Sequence, residues 1–184
     1  MSNNHNYNSR LLIKNWYDRS GLELESNYSP FDKFICLWIS FNCFFVSEFY
    51  RDISKTKKDP TEKKYLDYFV KAQKYSDIYN KLLKNPMFKG KVSNLKQLLN
   101  TITHFKGRIA DMRPGHLKFD DAKPLDNEDN FEQVIKVIYQ IRCNLFHGNK
   151  SPEHDGDVRL VDAAYEILHA LLNEIYKIEG YIND

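Results

Sequence analysis

Cysteine is scarce in this chain of 184 residues, and its three cysteines are not spaced for a disulfide or a zinc site. Cys36 and Cys43 lie seven residues apart in one predicted helix, which separates them by about 10 Å of helix rise, more than a disulfide spans. Cys143 has no neighbouring cysteine or zinc-type spacing. We therefore expect three reduced thiols that pack as small apolar side chains in a reducing compartment, and neither a metal nor a cofactor.

Long apolar runs and a targeting layout are also missing. The longest apolar stretch, residues 34 to 46, is too short and too polar to cross a bilayer, and the polar first six residues lack the basic-then-apolar order of a signal peptide. These absences predict a soluble, cytoplasmic protein that does not engage a membrane. Apolar residues make up 42% of the chain and are spread throughout, which excludes a disordered protein, and the length suits a single domain over residues 1–184.

The sequence shows no sustained two-residue alternation, so it predicts an all-α fold rather than a sheet. Turn and capping signals predict helices at about 10–19, 29–53, 59–83, 86–110 (one or two shorter helices), 129–147 and 157–178, and an irregular connection at 113–126. In the second helix an aromatic stripe is expected in the core, and a neighbouring small-residue stripe is expected to let another helix approach closely. The stripes are Phe34, Trp38, Phe41 and Phe45, and Cys36, Ser40, Cys43 and Ser47.

The net charge of +2 conceals a strong asymmetry along the chain. Residues 51–118 hold 17 basic and 6 acidic residues, an excess of 11 positive charges, whereas residues 119–184 hold 6 basic and 14 acidic residues, an excess of 8 negative charges. Lysines interleaved with aromatic residues are typical of surfaces that contact phosphates and stack bases. The alternative is that the lysines only solvate helices whose tyrosines face the core. The candidate RNA-binding residues are Lys55, Lys57, Lys58, Lys63, Lys64, Lys71 and Lys74.

One segment, Ile141-Arg142-Cys143-Asn144-Leu145-Phe146-His147-Gly148, points to chemistry. It supplies a permanent cation, an amide and an imidazole within six residues. Arg142 follows the three-and-four spacing of apolar residues on one helix face, so its charge needs a salt bridge, a subunit contact or an anion. Gly148 is typical of the position just past a helix end, which places His147 in the last turn, where the helix dipole favours the protonated imidazole. The plain alternative is a salt-bridged arginine at the edge of the core followed by an ordinary histidine.

The remaining histidines give no competing catalytic set. His104, His116, His154 and His169 are not spaced for joint action, and His169, in the apolar last helix, is interpreted as a residue at the edge of the core.

These residues resemble a known family. Arg142 through Gly148, on the penultimate long helix, is similar to the Arg-x(4 to 6)-His signature of the HEPN (higher eukaryotes and prokaryotes nucleotide-binding) domains, and residues 38–45 resemble the Trp-x-x-Phe-Asn helix of their Apea-like branch. Two positions depart from the pattern. Cys143 stands where the family often has a polar residue, and Asn149 stands where one branch has a tyrosine that receives a nucleotide.

The resemblance implies an up-and-down helical bundle with an inserted helical or loop region. It also implies a metal-independent endoribonuclease that acts as a homodimer, in the role of a toxin or defence effector with an antitoxin or regulatory protein as partner. Arg142, His147 and Asn144 would then be catalytic: the arginine binds the scissile phosphate, the histidine transfers protons, and the asparagine orients one of them. The alternatives are a non-catalytic module that binds RNA, a nucleotide or a protein, and a purely structural helical dimer.

A dimer is also expected on independent grounds. The motif helix and the last helix are apolar on more than one side, and a small bundle has few interior positions to cover such surfaces. The two side chains Arg142 and His147 are predicted to meet Asn144 in one polar cleft, opposite their copies in the second subunit.

Overall fold

The computed structural model describes residues 3–21, 29–55 and 60–183. This part of the chain is mostly helical, with seven α-helices and one very short two-stranded sheet. The helices are α1 (Asn3–Gly21), α2 (Pro30–Ser54), α3 (Glu62–Lys71), α4 (Gln73–Leu82), α5 (Pro86–Ile102), α6 (Phe131–Phe146) and α7 (Asp155–Ile178). Strands β1 (Arg108–Ile109) and β2 (Lys123–Pro124) pair antiparallel between α5 and α6. The helical class predicted from the pattern is confirmed, and the small sheet is an addition to it.

Helix α2 begins where the sequence predicted. The hydroxyl of Ser29 accepts the backbone N–H of Asp32 while the Asp32 carboxylate accepts the backbone N–H of Ser29, and Pro30 occupies the first turn. Its aromatic stripe is buried: Trp38 is 1% exposed, and its ring meets Phe41 edge-on at 5.3 Å. On the small-residue stripe, the Ser40 hydroxyl donates to the carbonyl of Ile13, so α1 packs closely there.

The predicted helix over 59–83 is two helices in the structure. Ala72 has an extended backbone (φ −74°, ψ 111°) and separates α3 from α4. Phe69 and Tyr75 lie six residues apart, which on a continuous helix would point them about 120° away from each other. The break turns both rings into the core, where they stack with centroids 4.6 Å apart. Packing of these two rings therefore overrides the continuous helical pattern.

Helix α7 is the central element, and it contacts α2, α4, α5 and α6. Most of its apolar residues and those of α6 are buried within the single chain, such as Phe131 at 4% exposure and Ile141 and Leu171 at 0%. The terminal residues Phe146 and Ile178 are exposed. We expected a dimer because α6 and α7 are apolar on two sides. Other helices of the same chain already cover most of these apolar surfaces. A second copy stays a prediction, but this pattern no longer argues for it.

Membrane insertion can be judged from helix length and composition. In the ranges that the structure describes, no helix combines the length and apolar character that crossing a bilayer requires.

Candidate functional site

The motif closes helix α6 with the predicted geometry. The helix ends at Phe146, one residue earlier than predicted, with His147 as its C-cap, and Gly148 adopts the left-handed conformation (φ +70°) that only glycine takes readily. The N–H of Asn149 donates to the carbonyl of Asn144 at 2.8 Å, and that of Gly148 to Leu145 at 3.0 Å. This pair of bonds is the Schellman arrangement. The helix itself begins one residue later than predicted, because Asn130, not Asp129, accepts the first-turn N–H, at Gln133.

Arg142 is held by residues from three helices. Its Nη1 lies 3.1 Å from Oε2 of Glu62, whose other oxygen accepts the indole N–H of Trp38 at 3.0 Å. The guanidinium carbon lies 5.6 Å from the Trp38 ring centroid and 4.4 Å from that of Phe146. Arg142 is half-buried, and of the three partners predicted for its charge the structure shows a salt bridge. The Nε–H of Arg142 is buried without an acceptor, so the guanidinium retains an unused donor.

Glu62 was not found by sequence reasoning. The need for an acidic partner was predicted, but the sequence holds 25 acidic residues and nothing in its local pattern distinguishes this one. Phe146 was also missed as a partner, although it lies one helical turn after Arg142, where an i, i+4 contact is normal.

His147 is exposed to solvent, and it makes no side-chain hydrogen bond or ion pair to the described residues. Its imidazole is therefore free to meet a ligand or a second subunit. Phe146, beside it, is 47% exposed, which is high for an aromatic ring.

Asn144 does not join Arg142. The two residues are two positions apart on α6, which corresponds to about 200° around the helix axis. Their side chains therefore project from opposite faces of the helix. Asn144 is 0% exposed: its Nδ2 donates to the carbonyl of Ala110 at 2.9 Å, and its Oδ1 accepts from the N–H of Met112 at 3.1 Å and from Gln140 at 3.0 Å. The bonds to Ala110 and Met112 hold the segment after β1 against α6, and the bond from Gln140 lies within α6. Its amide is therefore engaged in structure, and the predicted convergence of the three side chains is not met within one chain.

A groove runs along α6 on the face that ends at His147. Lys136, Gln140 and Cys143 line it, and His147 follows Cys143 by one helical turn. The groove has a volume of about 410 Å³. Its walls come from α3, the loop after β1 and β2, and carry Lys63, Asp67, Asp111, Arg113, His116, Asp121 and Lys123. We call this the basic groove.

The charges of the basic groove are partly paired. Arg113 binds Asp111 through Nε at 3.0 Å, and these hydrogen bonds hold the pKa of the Asp111 carboxyl below its usual range. Lys136 pairs with Glu132. Lys63 and Lys123 form no ion pair with described residues, although Nζ of Lys123 donates to the backbone carbonyl of Asp121 at 2.9 Å. Lys63 is therefore the lysine of the groove most available to an anion. On the floor, burial raises the pKa of the Cys143 thiol, although Tyr139 and Arg142 beside it act in the opposite direction.

The predicted RNA-binding lysines have different surroundings. Lys55, Lys63, Lys64, Lys71 and Lys74 are exposed, whereas Lys57 and Lys58 lie outside the described residues. Lys74 contacts Glu48 at 2.6 Å and Glu179 at 3.1 Å. Burial acts to lower the pKa of Lys74, but its hydrogen bonds to Glu48, Tyr75 and Glu179 raise it overall. Its charge is thus balanced within the chain.

The aromatic residues between these lysines face the core, as the alternative interpretation held. Tyr65 is 5% exposed, Tyr75 and Tyr79 are 0%, and Phe88 is 3%. Nζ of Lys64 lies 5.4 Å from the ring centroid of Tyr68, which is half-buried, and Nζ of Lys74 lies 4.7 Å from that of Tyr75, which is buried. Base stacking on this segment therefore has little aromatic surface to use.

A second cleft lies on the other side of the motif, between the end of α5, β1 and the loop before α7. It has a volume of about 430 Å³, and Asn144 and Asn149 belong to its lining. We call this the α5–β1 cleft.

The arrangement offers an oriented guanidinium, an exposed imidazole and a groove with two lysines that form no ion pair with described residues. These groups suit an anionic ligand, and the imidazole adds proton transfer. Three or more His, Cys, Asp or Glu side chains placed to hold a metal ion do not occur among residues 3–21, 29–55 and 60–183. Comparisons with protein-family models, with curated proteins and with solved structures gave no match to this chain.

Proposed function

We propose that the chain is a metal-independent endoribonuclease that works as a homodimer, with Arg142 and His147 at its reaction centre. The observation that carries the proposal is their placement: a guanidinium oriented by Glu62 and an exposed imidazole lie at the end of α6, and the basic groove occupies the helix face that His147 continues by one turn after Cys143. The helical composition and the position of the motif on the penultimate helix also support a bundle of the HEPN type.

In the proposed reaction the ribose 2′-oxygen attacks the adjacent phosphorus, and the bond from phosphorus to the 5′-oxygen breaks. The products are a 2′,3′-cyclic phosphate and a 5′-hydroxyl. His147 accepts the 2′-hydroxyl proton or donates a proton to the leaving 5′-oxygen. Arg142 binds a non-bridging oxygen and stabilises its growing charge, for which a planar guanidinium is well suited.

The homodimer supplies the second proton-transfer group. One chain presents one exposed imidazole at the motif, whereas the reaction needs both a base and an acid. His147 of the partner subunit would provide the other, and the exposed ring of Phe146 is the apolar group placed to meet that partner. Asn144 has no part in the chemistry in this proposal, because its amide is engaged with Ala110, Met112 and Gln140.

The test is to incubate the purified protein with single-stranded RNA in excess EDTA and to analyse the product ends. We expect cyclic phosphate ends from the native chain and loss of cleavage by about a hundredfold or more in His147→Ala. The control is Asn80→Ala, an exposed residue of α4. Product ends with a 3′-hydroxyl, or equal cleavage by His147→Ala, would contradict the proposal. Sedimentation equilibrium then tests the dimer, and a strict monomer that still cleaves would exclude the composite site.

A second candidate is an RNA-binding module without catalysis. It is favoured by one observation: Arg142 is already paired with Glu62, so a phosphate has to compete with that carboxylate. In this case His147→Ala leaves RNA binding unchanged, whereas Lys63→Ala weakens it and the exposed control Lys89→Ala does not.

A further inference from the structure

The α5–β1 cleft is not used by the proposed reaction, although it adjoins the motif. Asn144 at its base and Asn149 at its rim lie on either side of His147 in the chain. Asn144 also fixes the opposite wall, because it binds the backbone of Ala110 and Met112. A ligand in this cleft therefore lies against the last turn of α6, on the side of Asn144.

The charge of the cleft differs from that of the basic groove. Lys150, whose side chain is 9% exposed, pairs with Asp157 at 2.5 Å, and Asp157 also accepts the N–H of Ser151 at 3.0 Å. The buried ammonium and carboxylate balance each other. The cleft therefore suits an uncharged polar group better than a phosphate.

The other lining groups match a planar heterocycle. His104, Phe105 and His154 are rings on its walls, and the carboxamide of Asn149 offers both a donor and an acceptor. The His104 and Phe105 rings meet edge-on with centroids 4.7 Å apart. Rings of this kind stack on unpaired bases, and amides bind their edges. The volume of about 430 Å³ lies in the range of pockets that hold one small ligand.

We propose that the α5–β1 cleft binds one unpaired nucleobase of an RNA strand whose phosphate lies at the motif. This assignment rests on the proposed function, because it takes RNA to be the ligand. A base cleft implies a single-stranded substrate, since a base in a duplex is stacked and paired and does not enter a side cleft.

The test compares binding of a short labelled single-stranded RNA with binding of the same RNA annealed to its complement. It is done in the His147→Ala background, so that cleavage does not consume the probe. The cleft variant is His104→Ala with Met112→Ala: both are lining residues with exposed side chains, and the backbone N–H of Met112 still reaches Asn144. The matched control is Met87→Ala with Asn94→Ala, two exposed residues of α5 outside the cleft.

We expect the single strand to bind more tightly than the duplex, and the cleft variant to lose about fivefold or more in affinity for the single strand while the control does not. Equal affinity for both RNA forms, or a cleft variant that behaves like the control, would overturn the inference whether or not the native chain cleaves RNA. Selective binding that depends on the cleft, without cyclic phosphate products from the native chain, would uphold the base cleft and reject the proposed reaction.

Discussion

At the scale of single residues, Arg142 is held in place by side chains on several sides. Its guanidinium stacks on Phe146 and shares the Glu62 carboxylate with the Trp38 indole, which joins α2, α3 and α6. A carboxylate that holds one side of a guanidinium fixes its plane and leaves other N–H groups for a second acceptor. Orientation before the ligand arrives lowers the entropy that binding costs.

Asn144 and His147 give a direct comparison between a structural and a functional side chain. Asn144→Ala removes two buried hydrogen bonds and one half-buried one, and it leaves the Ala110 carbonyl and the Met112 N–H without this partner. We therefore expect a loss of about 2 to 3 kcal/mol of unfolding free energy. His147→Ala, at an exposed position, should change it by less than about 0.5 kcal/mol. Urea unfolding followed by circular dichroism measures both. Similar losses in the two variants would contradict these roles.

The lowered pKa of His169 predicts how the unfolding free energy depends on pH. Burial, followed by the charges of Lys91 and Lys33, lowers the pKa of this imidazole below its ordinary value of 6.5, and its ring stacks on Tyr17 at 5.1 Å. The neutral form is therefore favoured in the folded state, while the unfolded chain takes up the proton first as pH falls. This contribution is complete above about pH 6.5 and is lost as pH falls through the lower, folded-state pKa.

The variant His169→Phe keeps a ring for Tyr17 to stack on but does not titrate. We expect the unfolding free energy of the native chain to fall more between pH 7.5 and pH 5.5 than that of the variant. Parallel pH profiles for the two proteins would show that this histidine is equally protonated in the folded and unfolded states.

At the scale of elements, the end of α6 sets the direction of the motif. Gly148→Ala meets no atom within 4 Å but places a side chain at φ +70°, so the expected loss of about 1 to 2 kcal/mol comes from the backbone alone. Gly90 is the matched control, because it lies inside α5 with equally open space, and Gly90→Ala should gain about 0.5 to 1 kcal/mol. Thermal unfolding of both variants separates backbone conformation from packing. A neutral Gly148→Ala would contradict the strain at this position.

Helix ends were predictable where a local chemical signal exists. Ser29, Pro30 and Asp32 open α2, and Gly148 closes α6, because capping depends on residues close in sequence. The break at Ala72 was not predictable, since it serves the contact of Phe69 with Tyr75 in the packed core. The same limit applies to the site: a partner for Arg142 was expected, but Glu62 lies 80 residues earlier and only the fold brings it there.

At the scale of the whole molecule, the lysines of the basic segment, residues 51–118, differ in what surrounds them in the fold. Lys63 has a double role, since it belongs to the basic segment and also lines the basic groove beside the motif. Lys74, in contrast, is paired with two carboxylates from α2 and from the end of the chain. Sequence counts predicted the sign of this surface but not which of its lysines remain free, because pairing depends on residues far apart in the chain.

The salt dependence of RNA binding tests this surface as a whole. Each phosphate contact on a single strand adds about −0.7 to the slope of log affinity against log salt, so about four contacts predict a slope near −3. Lys63→Ala should make the slope less steep by about 0.7, and Lys89→Ala, an exposed lysine of α5 outside the groove, should leave it unchanged. Fluorescence anisotropy titrations in the His147→Ala background measure all three slopes. A flat dependence would show that phosphate contacts do not drive binding and that these lysines only solvate the helices. A reduction by Lys89→Ala equal to that by Lys63→Ala would instead indicate a diffuse attraction to the basic segment, with no path for the strand along the groove to His147.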